Sequence, residues 1–361
     1  MQIREIKVGE LLDFIKSDDF EKLDIKPITD LRAISQFNNP DANPEDLALI
    51  YAAENNELLG FAGLLPKFVN NENIRIFANS CWWVHPEKGK GIAIPIFYKL
   101  VEKANFSLFL SESTTHAKTI LEKTGLFGPM QENAGIRGFL RFYLANISQK
   151  HFPNSQWVSI PFKVLDYILN SLLIPFRIYF LKKFDETSFI VEPVSKIDKE
   201  IEEFIIQNSS SEFVQKTQAN FNWVKNYPWL METGNGKQIN YPFSYTTKKF
   251  ELNYYIFRQG KEIKAFVAIS NRDNLAKIPF IYFNNTDIKA VTHRLVQLIL
   301  KKKYDSVIVF HSQIVDFMEQ NKMPFYYRKK EIKYSGTTKQ IYNIFDQKSV
   351  MQDGDGDAIF T

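Results

Sequence analysis

The chain has 361 residues, of which 45% are hydrophobic and 24% are charged, and its formal net charge is +4. This length predicts two domains at roughly 150 residues each, and the composition is that of an ordinary globular protein. The small positive charge lacks the clustered excess that nucleic-acid-binding domains carry, so nucleic acid is not an expected partner.

Cysteine content and the N-terminal segment indicate the compartment. Cys81 is the only cysteine, which excludes an intrachain disulfide and a thiolate metal cluster and fits a reducing compartment. We therefore expect no metal. Residues 1–7 contain no apolar stretch of the signal-peptide kind, so we expect a cytoplasmic protein.

Residues 1–150 predict one compact α/β domain. Thr29 or Asp30 can cap a helix, residues 54–57 form a polar hairpin turn, and Gly125 stands where a left-handed residue would end a helix. Apolar spacing predicts helices at 9–15, 31–37, 92–104 and 115–124, and strands at 47–53, 58–65, 74–84, 106–111 and 136–145.

A glycine-rich turn joins the strand that ends at Val84 to the helix that follows. Gly89 and Gly91 remove the side chains that would block an anion, and the turn opens a helix whose N-terminus offers N–H groups and a favourable dipole. Such a turn is typical of a phosphate cradle. The residues expected to form it are Trp83, Val84, Lys88, Gly89, Lys90, Gly91, Ile92 and Ala93.

This segment resembles the acyl-CoA-binding motif of the GCN5-related N-acetyltransferase (GNAT) superfamily, written as Arg or Gln, two residues, Gly, one residue, then Gly or Ala. Lys88, Gly91 and Ala93 stand at those positions, with lysine in place of arginine or glutamine. Residues 117–127 are similar to the family's helix and turn that end in Gly-Phe. The resemblance implies that acetyl-CoA or another acyl-CoA is the cosubstrate.

The resemblance also implies where the acyl group lies. The pantetheine would follow the fourth strand, in the gap where strands four and five splay apart, and the N–H of Val84 would donate to the thioester carbonyl. Many members of the family carry a tyrosine that protonates the departing thiolate. Leu121 stands at the aligned position, so the domain either manages without this acid or only binds acyl-CoA.

An attacking amine must lose its proton to a base whose pKa lies near the working pH. Three residues are candidates for this role: Glu112 and His116, which follow the fifth strand, and His85, which follows the fourth. The choice among them stays open. We expect Cys81 to be a core thiol, because no histidine spacing marks it as a nucleophile.

Residues 188–346 repeat the order of elements of the first domain. Where the first copy has its cradle, the second has residues 284–287, which contain no glycine. We therefore expect a degenerate GNAT-like domain that lacks the cofactor site and completes the acceptor site. The predicted strands are 188–194, 250–258, 263–271, 278–284, 306–310 and 325–334, and the predicted helices are 196–207, 212–229, 288–301 and 313–320.

Residues 151–187 are expected to form an apolar connector helix region. Prolines, charges and an asparagine interrupt it, which makes it a poor membrane span. These residues are Pro161, Lys163, Asp166, Asn170, Pro175 and Arg177. Its apolar residues fall on all sides of the helix, which favours burial between two domains. The alternative is a peripheral membrane contact through residues 158–183, with Arg177, Lys182 and Lys183 near the headgroups at the inner face of the membrane.

Residues 347–361 form an acidic tail. Asp353, Asp355 and Asp357 have the spacing of a calcium loop, but no glutamate follows at the twelfth position, which excludes an independent EF-hand. We expect a flexible tail, with docking into a cleft as the alternative.

Two groups of aromatic residues are candidates for ring stacking. Trp82 and Trp83 are adjacent in a strand, so they should point to opposite faces of the sheet, and at least one of them should be core. Tyr227 and Trp229 end a predicted helix and are the expected substrate-binding platform.

Together these features predict an α/β (α+β) protein with two GNAT-like domains, each a mixed, mostly antiparallel sheet flanked by helices. The domains would span residues 1–150 and 188–346, with the acceptor pocket at their junction. The predicted activity is acyl-CoA-dependent N-acylation, and most simply N-acetylation, of a small-molecule or lipid-linked amine. The arrangement resembles that of bacterial surface-polysaccharide N-acetyltransferases, which implies an amino sugar as acceptor. The alternatives are a Fem-like transferase that uses aminoacyl-tRNA and a non-catalytic CoA-binding scaffold.

Overall fold

The computed structural model describes residues 1–145, 148, 156–184, 189–234, 238–348 and 350–360. Its strands are β1 (Gln2–Lys7), β2 (Leu47–Glu54), β3 (Glu57–Phe68), β4 (Arg75–Val84), β5 (Leu108–Ser113), β6 (Gln131–Phe139), β7 (Ile190–Val194), β8 (Met231–Glu232), β9 (Thr246–Thr247), β10 (Phe250–Gln259), β11 (Glu262–Arg272), β12 (Leu275–Phe283), β13 (Ser306–Val309) and β14 (Tyr327–Thr337). Its α-helices are α1 (Leu11–Phe14), α2 (Asp18–Lys22), α3 (Asp30–Phe37), α4 (Ala93–Lys103), α5 (Thr115–Lys123), α6 (Gln156–Phe184), α7 (Lys199–Gln207), α8 (Gln218–Asn226), α9 (Ile288–Lys301), α10 (Ser312–Gln320) and α11 (Lys339–Lys348).

The chain forms two compact units, and each unit is assembled from separate stretches of sequence. Unit 1 comprises Met1–Asn133, Lys196–Phe250 and Lys333–Thr361. Unit 2 comprises Ala134–Ser195 and Glu251–Ile332. Strands β6 and β14 therefore each begin in one unit and end in the other.

In unit 1, β1, β2, β3 and β4 form an antiparallel series, β5 lies parallel to β4, and β14 runs antiparallel to β5. Side chains alternate across this sheet and fill a core on each face. Phe97 of α4 and Leu121 of α5 lie in one core, while Phe14 of α1 and Phe61 of β3 lie in the other.

In unit 2, the strand order is β6, β13, β12, β11, β10 and β7. The β12–β13 pair is parallel, and β6–β13, β11–β12 and β7–β10 are antiparallel pairs. Leu295 and Ile299 of α9 pack in one core with Val267 of β11 and Ile281 of β12. The predicted fold class is confirmed, because mixed and mostly antiparallel sheets carry helices against them.

Several local predictions are confirmed. The Thr29 hydroxyl caps α3 by accepting from the Arg32 N–H over 3.3 Å. Gly125 has a φ of 70°, as a left-handed residue after a helix requires. Asn55 and Asn56 form the hairpin turn between β2 and β3 with φ values of 51° and 67°.

The helix predicted at 212–229 is wrong over its first part, since α8 begins only at Gln218. Phe213 and Val214 are buried in irregular backbone, and Val214 forms an isolated bridge with Val69. A short buried apolar run has the same composition in either conformation, so periodicity alone did not distinguish them. The strand predicted at 136–145 lies earlier, at Gln131–Phe139.

Burial of the connector helix is also contradicted. The face of α6 that carries Trp157, Leu172 and Phe176 is exposed to solvent. No helix in the described ranges is long and apolar enough to cross a membrane. The side chains of Lys182 and Lys183, which the membrane alternative places near headgroups, lie outside the described residues.

The prediction of a flexible tail is wrong. Asp353 and Asp355 are buried, and each carboxylate pairs with a buried lysine: Asp353 with Lys333, and Asp355 with Lys216 over 2.9 Å. The Phe360 ring stacks on Trp229 at 4.4 Å between ring centroids. The composition of the tail predicted exposure to solvent, because the lysines that pair with its aspartates lie elsewhere in the sequence.

Replacing Phe360 with alanine should therefore destabilise unit 1. The side chain is 0% exposed, so Phe360→Ala should lower the free energy of unfolding by about 3–5 kcal/mol. Urea denaturation followed by tryptophan fluorescence measures the change. Phe176→Ala is the matched control, because Phe176 is 65% exposed and its loss should cost less than about 0.5 kcal/mol. Equal losses for the two variants would contradict burial of the tail.

Candidate functional site

A gap opens between β4 and β5 in unit 1. The two strands pair only through Phe77 with Leu108 and Ala78 with Phe109. Beyond this point β4 continues to Val84 paired with β3. The register between β3 and β4 shifts at Gly63, where Asn79 Nδ2 donates to the carbonyl oxygens of Gly63 over 3.1 Å and Cys81 over 2.9 Å.

The outer edge of β4 carries the N–H of Val84. The N–H of His85 donates to the Leu59 oxygen over 2.8 Å, which makes Leu59 and His85 a hydrogen-bonded pair of the antiparallel ladder. Such pairs alternate with pairs whose N–H groups point outward. Val84, opposite Gly60, belongs to the second kind, so its N–H is directed away from β3.

The two glycines of the cradle are required for different structural reasons. A Cβ on Gly89 would lie 2.6 Å from the Leu59 oxygen and 2.7 Å from the His85 nitrogen, so this residue must be glycine for the turn to close on β3. A Cβ on Gly91 would meet nothing within 4 Å. Gly91 therefore leaves open space in front of the turn, which an approaching ligand would use.

The amides at the start of α4 are available to such a ligand. The N–H of Ile92 donates back to the Gly89 oxygen over 3.0 Å. Among the described residues, the amides of Lys90 and Gly91 have no protein acceptor. They adjoin the first turn of an eleven-residue helix, whose dipole favours an anion at this point.

His85 stabilises the turn. Its Nδ1 accepts from the N–H groups of Glu87 and Lys88, both over 3.2 Å. An accepting Nδ1 assigns the proton of the neutral ring to Nε2. His85 therefore acts as a capping residue of the cradle in this geometry, with its basic nitrogen already engaged.

Two lysines supply charge beside the turn. Lys88 Nζ lies 2.6 Å from Glu57 Oε2, and this hydrogen bond raises the pKa of Lys88. Lys90 is exposed. Backbone amides and ammonium groups are the partners that a polyanionic phosphate prefers, and Lys88 is also paired with Glu57.

The β5 side of the gap carries Glu112 and His116. Glu112 is the penultimate residue of β5, and its Oε1 atom lies 3.4 Å from Lys333 Nζ. His116 is exposed in the first turn of α5, a helix capped by the Thr114 hydroxyl. Leu121 is 1% exposed and packs in the core, so this position offers no proton donor.

The acidic tail approaches the same strands from the face that carries α3. Gly356 lies so close to Ser111 of β5 that a Cβ would overlap its hydroxyl oxygen. Asp357 Oδ2 lies 3.7 Å from the Arg32 guanidinium, which also donates to the Ser80 oxygen of β4 over 2.7 Å. The tail thus lies beside the residues where β4 and β5 separate.

Sequence reasoning missed Arg32, although it organises this side of the site. The guanidinium carbon lies 4.0 Å from the centroid of Trp229, and Nη1 donates to the Tyr241 hydroxyl over 2.6 Å. Burial raises the pKa of Tyr241, so the phenol stays protonated. Arg32 had no local signal, because its partners lie on distant segments.

The aromatic candidates have distinct positions. Trp82 packs on Phe97 of α4 and Trp83 on Phe61 in the opposite core, which confirms that the two point to opposite faces. Trp229 is 1% exposed and its ring already stacks on Phe360. Tyr227 is half-buried directly after α8, and it is the more accessible of the two residues predicted to bind substrate.

Three solved structures resemble the chain. An Enterococcus faecalis protein described as a probable N-acyltransferase matches with a TM-score of 0.51 and 11% identity, over 96% of this chain and 74% of that one. Saccharomyces cerevisiae N-myristoyltransferase with bound myristoyl-CoA matches with a TM-score of 0.50 and 12% identity, over 99% and 83%. A GCN5-related glucosamine N-acetyltransferase region of a fungal multi-domain β-N-acetylglucosaminidase matches with a TM-score of 0.50 and 11% identity, over 93% and 38%.

These likenesses show that the chain has the GNAT fold. No protein-family model matches the sequence, and no curated protein is significantly similar to it. At such low identities, similarity of fold does not extend to the reaction.

The glycine geometry predicts that the two cradle positions respond differently to the same change. Gly89→Ala should lower the free energy of unfolding by about 1–3 kcal/mol, because its methyl group would overlap backbone atoms. Gly91→Ala should leave stability within about 0.5 kcal/mol, because its methyl group enters open space. Thermal denaturation monitored by circular dichroism compares the two. Equal melting temperatures for both variants would contradict the turn geometry.

Cys81 should react slowly in the native protein. Burial raises the pKa of its thiol, so the reactive thiolate is scarce at about pH 8, near the pKa of a free thiol. Titration with a disulfide reagent should be much slower before than after addition of guanidinium chloride. Equal rates would show that the thiol is accessible and ionised.

Proposed function

We propose that this protein is an acyl-CoA-dependent N-acyltransferase. The observation that carries the proposal is the open cradle at Lys90 and Gly91, at the end of a strand whose outer edge is unpaired beyond Ala78. A ligand with a pyrophosphate at one end and a thioester at the other suits this combination. The GNAT fold is consistent with it.

The residues present fit acyl-CoA. The amides of Lys90 and Gly91, the first turn of α4 and the lysines Lys88 and Lys90 would hold the pyrophosphate. The open space at Gly91 admits it. The outward N–H of Val84 would donate to the thioester carbonyl and stabilise negative charge that develops there. Acyl-CoA supplies an activated acyl group and a thiolate that is a good leaving group.

The protein must then orient the acceptor amine and remove its proton. We assign the proton acceptor to Glu112, an exposed carboxylate on the β5 side of the gap, and keep His116 as the competing assignment. His85 is the weakest of the three candidates, because its Nδ1 is engaged within the turn. With Leu121 buried, we expect the thiolate to leave without a tyrosine acid.

We further propose that the acceptor is an amino sugar, free or carried on a nucleotide or lipid. A protonated amine is attracted to carboxylates such as Glu112 and Asp357, and the half-buried ring of Tyr227 would contact a sugar ring. A glucosamine N-acetyltransferase region has the same fold, but the proposal rests on these side chains, because fold alone does not define the acceptor. N-acetylation for surface-polysaccharide synthesis is the corresponding proposed role.

A tandem GNAT-like arrangement is part of the proposal. In unit 2, β12 pairs in parallel with β13 through Leu275, Ala276 and Lys277, as β4 pairs with β5 in unit 1. At the equivalent join, Asn284 Oδ1 accepts from the N–H of Thr286 over 3.2 Å. This join contains neither of the glycines that open the first copy's turn, which supports a second copy without a cofactor site.

Calorimetry with acetyl-CoA tests the cradle. Gly91→Asp should abolish binding, because its carboxylate would stand where phosphate must lie. Gly91→Ala is the matched control, and we expect its affinity to fall less than about tenfold. Unchanged affinity in Gly91→Asp would refute the site. A wild-type chain that shows no binding of acetyl-CoA but binds aminoacyl-tRNA would favour the Fem-like alternative.

Release of the CoA thiol tests turnover with a panel of amino sugars and simple amines. Glu112→Gln should lower kcat by about 10²- to 10⁴-fold with little change in KM for acetyl-CoA. His116→Gln should leave kcat within a few fold. The reverse pattern would transfer the role to His116. Binding of acetyl-CoA without turnover of any amine would favour a non-catalytic scaffold.

A further inference from the structure

Helix α6 in unit 2 turns two polar side chains, Asp166 and Asn170, towards neighbouring backbone. Asp166 accepts through its two carboxylate oxygens from the N–H groups of Leu144 and Ala145, both over 2.9 Å. Asn170 exchanges two hydrogen bonds of 2.9 Å with the backbone of Phe142. These two side chains are therefore hydrogen-bonded to backbone and not directed to the outer face of the helix.

The outer face of α6 is apolar over most of its length. Exposed residues recur every three or four positions, at Trp157, Ile160, Val164, Ile168, Leu172 and Phe176. This spacing places them on one side of the helix. Among the described side chains of α6, Lys163 is the one charged residue that is exposed. Monomeric soluble proteins rarely expose so continuous an apolar surface.

A cationic cavity adjoins this stripe. It is open to solvent, has a volume of about 510 Å³, and is lined by Phe176 of the stripe together with Arg177, Lys322 and Arg328. Glu319 is the acidic residue of the lining. Arg177 and Arg328 each donate to a backbone carbonyl, of Leu140 and Met318 respectively, over 2.6 Å. These bonds fix two of the three cations beside the apolar face.

The combination is suited to an anionic lipid surface. The helix is not apolar enough to cross a membrane, but a helix with one apolar face and cations beside it lies in the interface. Trp157, Tyr167 and Tyr179 are exposed, and such amphipathic rings favour the headgroup level. A second copy of this chain would bring cations of the same sign together, which is unfavourable.

We propose that the outer face of α6 inserts into the surface of an anionic membrane and that the cavity beside Phe176 holds a lipid phosphate. This inference rests on unit 2 alone and is independent of the proposed acyltransferase activity.

Vesicle flotation of the full chain tests the stripe. Wild-type protein should float with vesicles of phosphatidylcholine mixed with phosphatidylglycerol. Leu172→Glu should lower the partition coefficient by about tenfold or more, because it replaces 69% exposed leucine with a charge on the inserting face. Ile190→Glu is the matched control, since this residue is 59% exposed on β7 of the same unit, and its partition should not change.

The cavity is tested by changing one of its cations. Lys322→Ala should reduce partition into phosphatidylglycerol-containing vesicles severalfold and leave the weaker partition into pure phosphatidylcholine unchanged. Lys261→Ala, an exposed lysine in the β10–β11 turn, should have less effect than Lys322→Ala. Equal effects of the two lysine variants would overturn the phosphate site.

Two outcomes would overturn the membrane assignment. One is a wild-type chain that stays with the soluble fraction at every vesicle composition. The other is a wild-type dimer, seen by light scattering, that Leu172→Glu converts to a monomer, because the stripe would then be an interface between copies. Circular dichroism of each variant verifies that a loss of partition is not a loss of fold.

Discussion

The brief parallel contact between β4 and β5 is the constraint on which the proposed site depends. Because pairing with β5 stops after Ala78 and Phe109, β3 is the one strand that pairs with β4 as far as Val84. A strand fixed on one side keeps its geometry while its other edge offers N–H groups that need acceptors. The cradle follows directly at the end of this strand. In the proposed site, this one strand would position both the donor for a thioester carbonyl and the amides for a pyrophosphate, as precise recognition of such a ligand requires.

Ion pairs determine the position of the acidic tail on the other side of the gap. Its aspartates alternate with glycines, and Asp353, Asp355 and Asp357 pair with Lys333, Lys216 and Arg32. Burial alone would lower the pKa of Lys216 and Lys333, but the neighbouring carboxylates raise both, so the ammonium forms persist. Removing one member of a buried pair leaves an uncompensated charge, at a cost of about 3–5 kcal/mol. The pairs therefore bind the tail in one register, with Gly356 against Ser111.

Features that depend on sequence neighbours could be predicted, and features that depend on distant partners could not. The Thr29 cap, the Gly125 helix end and the cradle between β4 and α4 are encoded locally, and the cradle motif also indicated the fold. The tail was misjudged because Lys216 and Lys333 are remote in sequence, and Arg32 was missed for the same reason. In α6, Asp166 and Asn170 were interpreted as interruptions of an apolar helix. Both residues lie on the inner face of the helix. Their hydrogen bonds to the backbone of residues 142–145 show this, and the sequence of the helix does not.

Amide hydrogen exchange with and without acetyl-CoA tests the central claim most directly, because the two units provide an internal comparison. If acyl-CoA binds along β4 and at the cradle, the ligand should slow exchange in peptides that cover residues 84–93. Peptides that cover residues 284–288 should be unaffected, since that turn contains no glycine. Absence of protection at 84–93, or equal protection in both segments, would contradict the account.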